Sequence, residues 1–592
     1  MLKRCGLISA FLILPVLAFC AEDKALDLEP IVVTKPRIAA ASHFVIEPSV
    51  ISHSPVESLK LLPVDLQSRS LKGGIQTDFS LRAAGFQGAL LLLNGQRIND
   101  PQTAHHNCDI PFTREDIASV ELISGTGSVL FGPDGIGGAL NFKAKEPQAN
   151  QAILELRAGE YSSGSGLLSI SRKKGDLGLR LSLENEECAG FDEDTDYKKF
   201  TVALASSLNF SEGNFDLHWG YQEKEFGAFD FYTPGLGYPS KEWTKTYLLN
   251  CRLNLNKGGL LLRPTFLWRR HYDKFMLDKT LIRSRYLNHH RSDIYTPAVY
   301  FQKDTPALGE IGLGLEYGQE RISSTNLGKH SREHKSILLA ENKDLNEAFS
   351  LNAAWRADDF TYFGRADSGN LRLNYKASVR LELNAGLSRN IRLPSFTELY
   401  YSDPTTLGDP HLSQEEAMNY EAGYTYRQAD FSWGTNFFFR KEKKMIDWVK
   451  HEATQPRWQA ENLASAKVFG LENHLKFKIT PYLGLDANYT YLDKPEPRAA
   501  YLYKYGPNYS RHLVNLSLNL DLPFGTQVLE LSYKKKPQRS GRLLLNPRFS
   551  YRFSKKYLVF LAIDNLLDVE YQEIVGIPQP GRWIEAGCRM EW

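Results

Sequence analysis

Cysteine is scarce, and neither sign of charge is in excess. The chain has 6 cysteines in 592 residues, and Cys5 and Cys20 fall within the first 20. The other four, Cys108, Cys188, Cys251 and Cys588, lie far apart and show no metal-ligand spacing, so we predict no disulfide. Lys and Arg number 71 against 69 Asp and Glu, a net charge of +2. Such a balance excludes a strongly basic surface, and we expect no nucleic-acid partner.

Long apolar runs are missing beyond the first 20 residues. A membrane helix needs about 18 or more consecutive apolar residues, so the sequence excludes a helical membrane protein. It does not exclude a protein that crosses the membrane with strands, because only every second residue of such a strand faces lipid.

The N-terminus has the pattern of a secretory signal peptide. A basic start precedes the apolar run Leu7–Phe19, and Ala18 and Cys20 occupy the small positions before a cleavage site. We therefore predict that residues 1–20 are removed. A lipoprotein cleavage site is the alternative, but Phe19 is too large for that pattern.

Apolar and polar residues alternate strictly in the last segment, Ile584–Trp592. Side chains of a strand alternate between its two faces, so one face of this segment is apolar. A half-buried strand of a soluble sheet would show the same pattern. The same alternation recurs, however, in Leu177–Glu184, Tyr247–Leu255 and Val514–Leu522, with no visible domain linker. The repeated pattern favours an all-β transmembrane barrel.

Residues 148–592 provide the length for such a barrel. A barrel of about 22 antiparallel strands, the number that the family resemblance described below implies, would use about 20 of these residues for each strand with its loop, which is reasonable for tilted strands. The polar stretches Ser402–Gln414 and Arg321–Lys335 predict extracellular loops, and Asn256–Gly259 predicts a periplasmic turn.

Residues 41–147 follow a different pattern. Short apolar runs, Ala89–Leu93 and Val120–Ile123, alternate with Gly-rich turns, and a short helix is predicted around Pro55–Leu62. This pattern indicates a small α/β domain. A barrel of about 22 strands has a wide lumen, so we expect this domain to be a plug inside it.

The plug region carries motifs in a characteristic order: Leu90–Gly95, Asn99–Pro101, Asp116–Glu121 and Leu130–Asn141. In sequence and spacing these motifs resemble the plug of TonB-dependent outer-membrane receptors. Three later segments resemble the barrel of that family: Arg392–Tyr400, Asn419–Gly423 and Asp564–Asp568. The resemblance implies transport across the outer membrane of a diderm bacterium. No hydrolytic or redox constellation stands out, so we expect no enzyme.

The segment between the signal peptide and the plug, residues 21–40, contains a run that resembles a TonB box: Glu29, Pro30, Ile31, Val32, Val33 and Thr34. A β-branched, extended tether can add as a strand to the open edge of a partner's sheet. The resemblance implies that TonB, with its inner-membrane motor proteins, is the partner. A plain linker is the alternative.

The resemblance also implies buried ion pairs between plug and barrel. Arg82 and Glu121 match the plug positions, and Glu421 and Glu472 match the barrel positions. Buried charges are tolerated only when they are paired and hydrogen-bonded. Ser124 stands where the family has an arginine, so we expect a smaller network.

Within the family, Met445–Val449, Trp458 and Phe229–Gly235 resemble segments of the cobalamin-receptor branch. That branch binds calcium through an aspartate-rich hairpin, which implies Asp192, Asp194, Asp196 and Asp230 as ligands here. Clustered hard oxygen ligands suit Ca²⁺. A solvated acidic turn is the alternative, and we expect no required cofactor beyond this possible structural calcium.

Substrate is expected at the loops of the plug that face outward, Ser70–Asp78 and Asn99–Cys108. Their candidate side chains are Gln76, Asn99, Gln102, His105, His106 and Asn107. Such groups suit an amide-rich corrinoid. The two histidines are also candidates for haem iron or another metal, although a bare His-His pair is an incomplete ligand set.

Other substrates and functions stay open. A ferric siderophore is the main alternative, since such receptors share the plug. Haem is less favoured, because no histidine lies between Ile391–Pro394 and Asp409–Leu412. A passive porin or adhesin, a different class of protein, would need neither plug nor TonB box. We expect a monomer in contact with outer-membrane lipid.

Overall fold

The computed structural model describes residues 42–47, 52–69, 75–125, 127–233, 235–281, 287–495, 501–504 and 508–592. The predicted signal peptide, the predicted TonB box and the first part of the Ser70–Asp78 segment lie outside these residues.

The N-terminal part of this chain forms a small mixed sheet. Its strands and those of an adjoining hairpin are β1 (Ser42–Ile46), β2 (Asp65–Ser68), β3 (Thr77–Ser80), β4 (Ala89–Leu93), β5 (Gln96–Arg97), β6 (Ile117–Ile123) and β7 (Gly138–Ala144). The sheet order is β1-β6-β7-β4-β5, with β4 and β7 parallel, and β2 and β3 form the separate hairpin. Every residue of β4 is buried. Its continuous run of leucines fits a central strand that is covered on both faces.

Helices in the described residues are short. They are α1 (Gly127–Phe131), α2 (Phe396–Tyr400) and 3-10 turns at Glu57–Leu61, Phe86–Gly88, Ala104–His106 and Arg114–Asp116. The first of these turns lies where a short helix was expected, although its geometry is 3-10 rather than α. No helix in the described part of the chain is long and apolar enough to cross a membrane.

The rest of the chain forms a closed antiparallel barrel. The strands are β8 (Gln151–Gly159), β9 (Ser163–Lys174), β10 (Leu177–Cys188), β11 (Tyr197–Phe210), β12 (Gly213–Gly227), β13 (Lys241–Lys257), β14 (Leu260–Met276), β15 (Leu287–Thr305), β16 (Gly309–Ser324), β17 (Gly328–Asp344), β18 (Phe349–Phe360), β19 (Gly364–Lys376), β20 (Leu381–Arg392), β21 (Thr406–Leu407), β22 (Glu415–Gln428), β23 (Phe431–Lys450), β24 (Trp458–Thr480), β25 (Leu483–Asp493), β26 (Leu502–Tyr503), β27 (His512–Leu522), β28 (Gly525–Lys535), β29 (Arg542–Ser554), β30 (Tyr557–Asp564), β31 (Gln572–Ile574), β32 (Ile577–Pro578) and β33 (Trp583–Glu591).

Within the described residues, 22 of these strands form the wall, which confirms the predicted strand number. The two-residue strands β21 and β26 only extend it at its rim, and β31 and β32 pair with each other. The last strand, β33, pairs with the first wall strand, β8, and so leaves no open edge.

The alternation in the wall strands is inverted relative to a soluble protein. In β10, Leu177, Leu179 and Leu181 are 42%, 45% and 43% exposed, whereas Arg180 and Ser182 are buried. The last strand repeats this order, with Ile584 exposed and Glu585 and Arg589 buried. An apolar outside and a polar inside are what a barrel surrounded by lipid requires.

The N-terminal sheet lies inside the barrel. Its apolar core, including Leu91, Val120 and Phe142, packs against the inward side chains of Leu248 and Leu267. The sheet ends at Ala144 and the wall begins at Gln151, on either side of the boundary predicted at residues 147 and 148. The domain is a plug because the wall encloses it.

One predicted loop is wrong. The stretch Arg321–Lys335, expected to be a long loop, belongs mostly to β16 and β17, and only Thr325–Leu327 connects them. The polar residues mislead because inward-facing positions of a plugged barrel are polar along the whole strand. The other expected loop, Ser402–Gln414, contains only the two-residue strand β21.

Candidate functional site

Arg82 of the plug is held by two carboxylates of the barrel wall. Its guanidinium lies 2.7 Å from Glu421 Oε1 and binds Glu472 with two nitrogens, at 2.8 and 2.6 Å. The Phe438 ring lies 4.3 Å from the same guanidinium. Arg82 also has a positive φ of 51°, in a region that few side chains adopt. These contacts with three neighbouring wall strands, β22, β23 and β24, fix the position of this plug loop.

Glu121, also predicted to pair with the barrel, makes its ion pair inside the plug. Its carboxylate lies 2.6 Å from Lys143 Nζ and accepts a hydrogen bond from Asn141 Nδ2. Both partners belong to the neighbouring strand β7. Glu121 therefore joins two plug strands, and we correct its predicted contact with the wall.

Several plug–wall ion pairs were not predicted. Arg97 binds Asp134 of the plug and Glu320 of the wall. Arg269 of the wall binds Asp100 of the plug. Arg589 of the last strand lies 2.7 Å from Glu115. Inward alternation marks Glu320, Arg269 and Arg589 as lumen residues, but the sequence gives no sign of which plug side chain each one meets.

A cavity of about 870 Å³ opens above the plug. Its floor is the plug loop from Ala83 to Gln87, and its sides are wall strands and loops. Six aromatic residues line it: Phe86, Phe231, Tyr232, Trp448, Trp458 and Tyr509. A large, partly apolar chamber of this kind is the expected setting for a small-molecule ligand.

Basic residues outnumber acidic ones in the lining. The cations are Arg69, Arg392, Lys450, Lys494, Lys504, Lys536 and Arg539, and the acids are Asp78, Glu398, Glu415 and Asp447. Lys450 lies 4.9 Å from the Trp458 ring and Lys504 lies 5.9 Å from the Trp448 ring. The chamber thus offers flat aromatic faces with cations beside them.

The predicted substrate residues are all buried, and they differ in where they point. Gln76 donates a hydrogen bond to the hydroxyl of Tyr232, a cavity residue. His105 Nδ1 lies 2.8 Å from Asp78 and its ring stacks on Phe86 at 4.4 Å. These two side chains support the cavity lining from behind.

Asp78 also binds Arg69, which fixes a charged cluster under the cavity. Burial raises the pKa of the Asp78 carboxyl, but the charges of Arg69 and His105 outweigh burial and lower it to about 2. Burial lowers the pKa of His105 despite the neighbouring Asp78 carboxylate.

Two of the predicted residues hold plug backbone instead. Asn99 accepts a hydrogen bond from the Leu91 amide and donates one to the Ala89 carbonyl. Asn107 accepts a hydrogen bond from the Asp100 amide. Both are about 3% exposed and shape the plug loop.

The remaining two, Gln102 and His106, meet the barrel wall below the cavity. Gln102 Nε2 donates to Asp273 Oδ2 at 3.0 Å, and His106 Nε2 lies 3.4 Å from the same oxygen.

The aspartates predicted to bind calcium are not gathered around one point. Asp194 pairs with Lys279, and Asp192 is exposed. The Asp230 carboxylate accepts hydrogen bonds from the amides of Gly235, Gly237 and Tyr238 at 2.9 to 3.1 Å. Within the described chain, Asp192, Asp194, Asp196 and Asp230 supply no three ligand atoms within 4.8 Å of one another. In this conformation the hairpin does not form a ready calcium site, and calcium binding stays a prediction.

A closed barrel of 22 strands with an apolar outside and a folded plug inside defines a gated outer-membrane receptor. The profile of the TonB dependent receptor-like β-barrel matches residues 182–566, and the TonB-dependent receptor plug domain matches residues 48–139. The chain belongs to the family of TonB-dependent receptors, which are transporters rather than enzymes and lie in the outer membrane of Gram-negative bacteria. Membership implies TonB as partner and a small-molecule substrate.

Curated relatives are similar along most of the chain. The vitamin B12 transporter BtuB of Photobacterium profundum is 24% identical over 524 residues, which cover 81% of each chain. The vitamin B12 transporter BtuB of Vibrio vulnificus is 25% identical, over 72% of this chain and 70% of the relative.

Solved structures share the fold at lower identity. The siderophore receptor PirA from Acinetobacter baumannii superposes with a TM-score of 0.76 at 13% identity, covering 93% of this chain and 98% of that one. The ferric enterobactin receptor PfeA from Pseudomonas aeruginosa, in complex with enterobactin, gives a TM-score of 0.76 at 15% identity, covering 93% and 99%.

Proposed function

We propose that this receptor transports a corrinoid, such as cobalamin, across the outer membrane. The observation that carries the proposal is the similarity over 81% of both chains to a vitamin B12 transporter. The shared fold with siderophore receptors does not argue against it, because barrels with the same plug serve different substrates through their loops.

The cavity above the plug suits a corrinoid in two ways. Its volume of about 870 Å³ falls in the upper part of the range for ligand pockets, about 300 to 1,000 Å³. Trp448, Trp458 and Tyr509 offer flat apolar faces to a macrocycle, while the Lys450 and Lys504 side chains beside two of these rings offer hydrogen-bond donors to its amide groups.

A ferric siderophore is the second candidate, and the charge of the lining favours it. The lysines and arginines around the cavity outnumber the carboxylates, and an anionic iron chelate would neutralise that excess.

Energy for transport is proposed to enter through residues 29–34. TonB would pair with this segment by strand addition and pull, and the plug would rearrange to open a path. The plug is held by several buried ion pairs, including those of Arg82 and Arg97, so opening needs work from outside the receptor.

The receptor is proposed to act as a monomer with its apolar outer surface in outer-membrane lipid. The exposed leucines of β10 and the exposed Trp592 at the chain end support this placement.

The proposal is tested by a binding panel on the full mature chain in detergent. Cyanocobalamin, cobinamide, haem and several ferric siderophores are each titrated by calorimetry. We expect saturable binding of the corrinoids, weakened about tenfold or more by Trp448→Ala, since each aromatic face contributes about 1 to 2 kcal/mol. Trp355→Ala is the matched control, because that tryptophan is 38% exposed on the outer surface. Binding of a siderophore with none of either corrinoid would refute the proposed substrate.

Calcium is proposed only as an aid to this binding. If it orders the hairpin of residues 192–196, corrinoid affinity should fall with a chelator and with the triple replacement of Asp192, Asp194 and Asp196 by alanine. Affinity that is indifferent to both treatments would remove calcium from the proposal.

A further inference from the structure

A buried cluster of polar side chains lies between the plug and the wall, beneath the cavity described above. His106 and Asp109 reach it from the plug, and Glu242 of β13 and His271 and Asp273 of β14 reach it from the wall. All five side chains are nearly inaccessible, with exposed fractions of 3%, 3%, 1%, 0% and 5%. Tyr232, which lines the cavity above the plug, donates a hydrogen bond to Glu242 Oε2 at 3.0 Å and so connects that cavity to the cluster.

In this cluster, the histidine nitrogens and the carboxylate oxygens that face each other are 3.4 to 3.9 Å apart. His106 Nε2 lies 3.4 Å from Asp273 Oδ2 and His106 Nδ1 lies 3.9 Å from Glu242 Oε1. His271 Nδ1 lies 3.6 Å from Asp109 Oδ2 and contacts Thr246 Oγ1 at 2.9 Å, which leaves its Nε2 as the atom without a partner. Hydrogen bonds of this type are usually about 2.7 to 3.2 Å long. Two ligands of one tetrahedral ion, each about 2.0 to 2.2 Å from it, lie about 3.4 Å apart.

These residues form two sets of three that share His106. One set is His106, Asp109 and His271, and the other is His106, Glu242 and Asp273. In each set the three ligand atoms lie within 4.8 Å of one another. A single metal ion can therefore reach all three ligands of either set after small side-chain movements.

Four buried side-chain atoms of the cluster have no hydrogen-bond partner among the described residues. They are Asp109 Oδ2, Glu242 Oε1, Asp273 Oδ1 and His271 Nε2, which presents a lone pair in the tautomer that donates from Nδ1 to Thr246 Oγ1. Leaving such a buried group unsatisfied costs about 1 to 3 kcal/mol, and more when the group is charged. Four such atoms in one cluster indicate a ligand that accepts their electron pairs.

The charges of the surrounding side chains indicate that this ligand is a cation. Asp109, Glu242 and Asp273 bring three carboxylates, and Lys224, which binds Asp109, is the lysine paired with them in the described structure. Arg269 is paired with Asp100 instead. In the protonation states that metal ligation requires, with ionised carboxylates and neutral histidines, the cluster has two more negative than positive charges, which a divalent cation would neutralise.

We propose that this cluster of side chains binds a divalent first-row transition-metal ion of the Zn²⁺ type, with His106 as the ligand common to both sets. Imidazole together with carboxylate selects such ions, whereas Ca²⁺ takes oxygen ligands alone. The site is separate from the aspartate hairpin at residues 192–196. Because its ligands come from both plug and wall, the ion cross-links the two domains.

The competing explanation is a protonated His106 that bridges the carboxylates without metal. A titration separates the two. The full mature chain, prepared in detergent without a polyhistidine tag and stripped with a chelator, is titrated with Zn²⁺ by calorimetry and with Co²⁺ by visible absorption. We expect saturable binding of one or two ions per chain, and Co²⁺ absorption bands of a histidine-containing, low-symmetry site.

His106→Gln should abolish this binding, because both sets lose their common ligand. His218→Gln is the matched control: His218 is a buried histidine of β12 that belongs to neither set. Zn²⁺ should also raise the unfolding temperature of the wild type and of His218→Gln but not that of His106→Gln. If His106→Gln does not fold, Asp273→Asn combined with Asp109→Asn removes one carboxylate from each set.

Wild-type protein that binds neither ion, or binding that His106→Gln leaves intact, would overturn the metal site in favour of the protonated histidine. The measurement uses no substrate and no TonB, so its result is independent of the corrinoid proposal.

Discussion

At the scale of the residue, the plug is held by charges that are buried and paired. Arg82 meets Glu421 and Glu472, and Arg97 meets Glu320, in each case across the boundary between plug and wall. A buried pair adds little net stability, but breaking one leaves an uncompensated charge. Such contacts therefore hold the plug in one position and resist its partial removal.

Replacing Arg82 should loosen the plug. Arg82→Gln leaves Glu421 and Glu472 without their common partner, and we expect a loss of about 3 to 5 kcal/mol in plug stability. The measurement is the urea concentration at which the plug becomes sensitive to protease while the barrel stays intact. Arg365→Gln is the control, because its pair with Asp367 is exposed on the outside and should leave that concentration unchanged. Equal midpoints for Arg82→Gln and wild type would contradict the role of this triad.

Acid should weaken the ion pair between Glu115 of the plug and Arg589 of the last wall strand. Burial raises the pKa of the Glu115 carboxyl, but Arg114 and Arg589 outweigh burial and lower it from 4.5 to about 2. A carboxyl with a lowered folded-state pKa stabilises the fold above its unfolded pKa. That contribution, roughly 3 kcal/mol, is lost as the pH falls from 4.5 towards 2.

The test compares unfolding midpoints across this pH range. Glu115→Gln should be less stable than wild type near neutral pH, and the difference should shrink as the pH falls to 2. Glu347→Gln, which changes an exposed acid in the turn between β17 and β18, should track the wild type at every pH. A difference that stays constant from neutral pH to pH 2 would rule out the titration of Glu115.

At the level of a single strand, each wall strand faces lipid on one side and the plugged lumen on the other. In β10 the outward positions change from leucine to Asn185 and Glu187 towards one end, while the inward side chains from Arg180 to Glu186 are polar. The change marks the edge of the apolar band. The same period-two pattern that indicates a strand therefore also gives its depth in the membrane.

A charge placed in the band should cost more than one placed beyond it. Leu181→Lys puts an ammonium on the outward face of β10 within the apolar band, and we expect a loss of about 2 to 4 kcal/mol. Asn185→Lys, on the same face of the same strand but beyond the leucines, should cost about 0 to 1 kcal/mol. Folding into lipid vesicles, followed by denaturant titration, measures both, and equal costs would show that the outward face of β10 is not embedded.

At the scale of the whole molecule, the barrel closes by a pairing between its two ends. β33 pairs with β8, so the sheet has no free edge, and the plug fills the lumen that closure creates. The wall is fixed by a continuous ladder of main-chain hydrogen bonds, whereas the plug is attached to it by side chains and by isolated main-chain bonds such as that from the Asp134 amide to the Ile391 carbonyl. Of the two, the plug is the part that a pulling force can rearrange.

Deleting residues 29–34 should separate binding from transport. The deleted receptor should bind its substrate with unchanged affinity, because the cavity lies among residues of the plug and wall. Uptake by cells in which this receptor is the sole route should fall to background, because the segment proposed to pair with TonB is missing. Replacing the same residues by a Gly/Ser segment of equal length controls for linker length. Undiminished uptake by either variant would refute energised transport.

The architecture could be predicted from the sequence, because local patterns encode it. Alternation along strands such as Leu177–Glu184 and Ile584–Trp592 identifies the wall, and the Gly-rich motifs identify the plug. A strand's two faces are read from neighbouring residues alone, so no knowledge of long-range contacts is needed. Because a local pattern does not show that the lumen is filled by a plug, the polar inward residues of Arg321–Lys335 were interpreted as a loop.

Most of the contacts between plug and wall become visible only in the folded molecule. Arg97 reaches a partner 223 positions away, while Glu121 pairs inside the plug and Asn99 holds plug backbone. His106 looked like half of an incomplete His-His pair, and folding surrounds it with carboxylates from plug and wall. Such contacts depend on how far each wall strand is shifted against the plug, which no local pattern records.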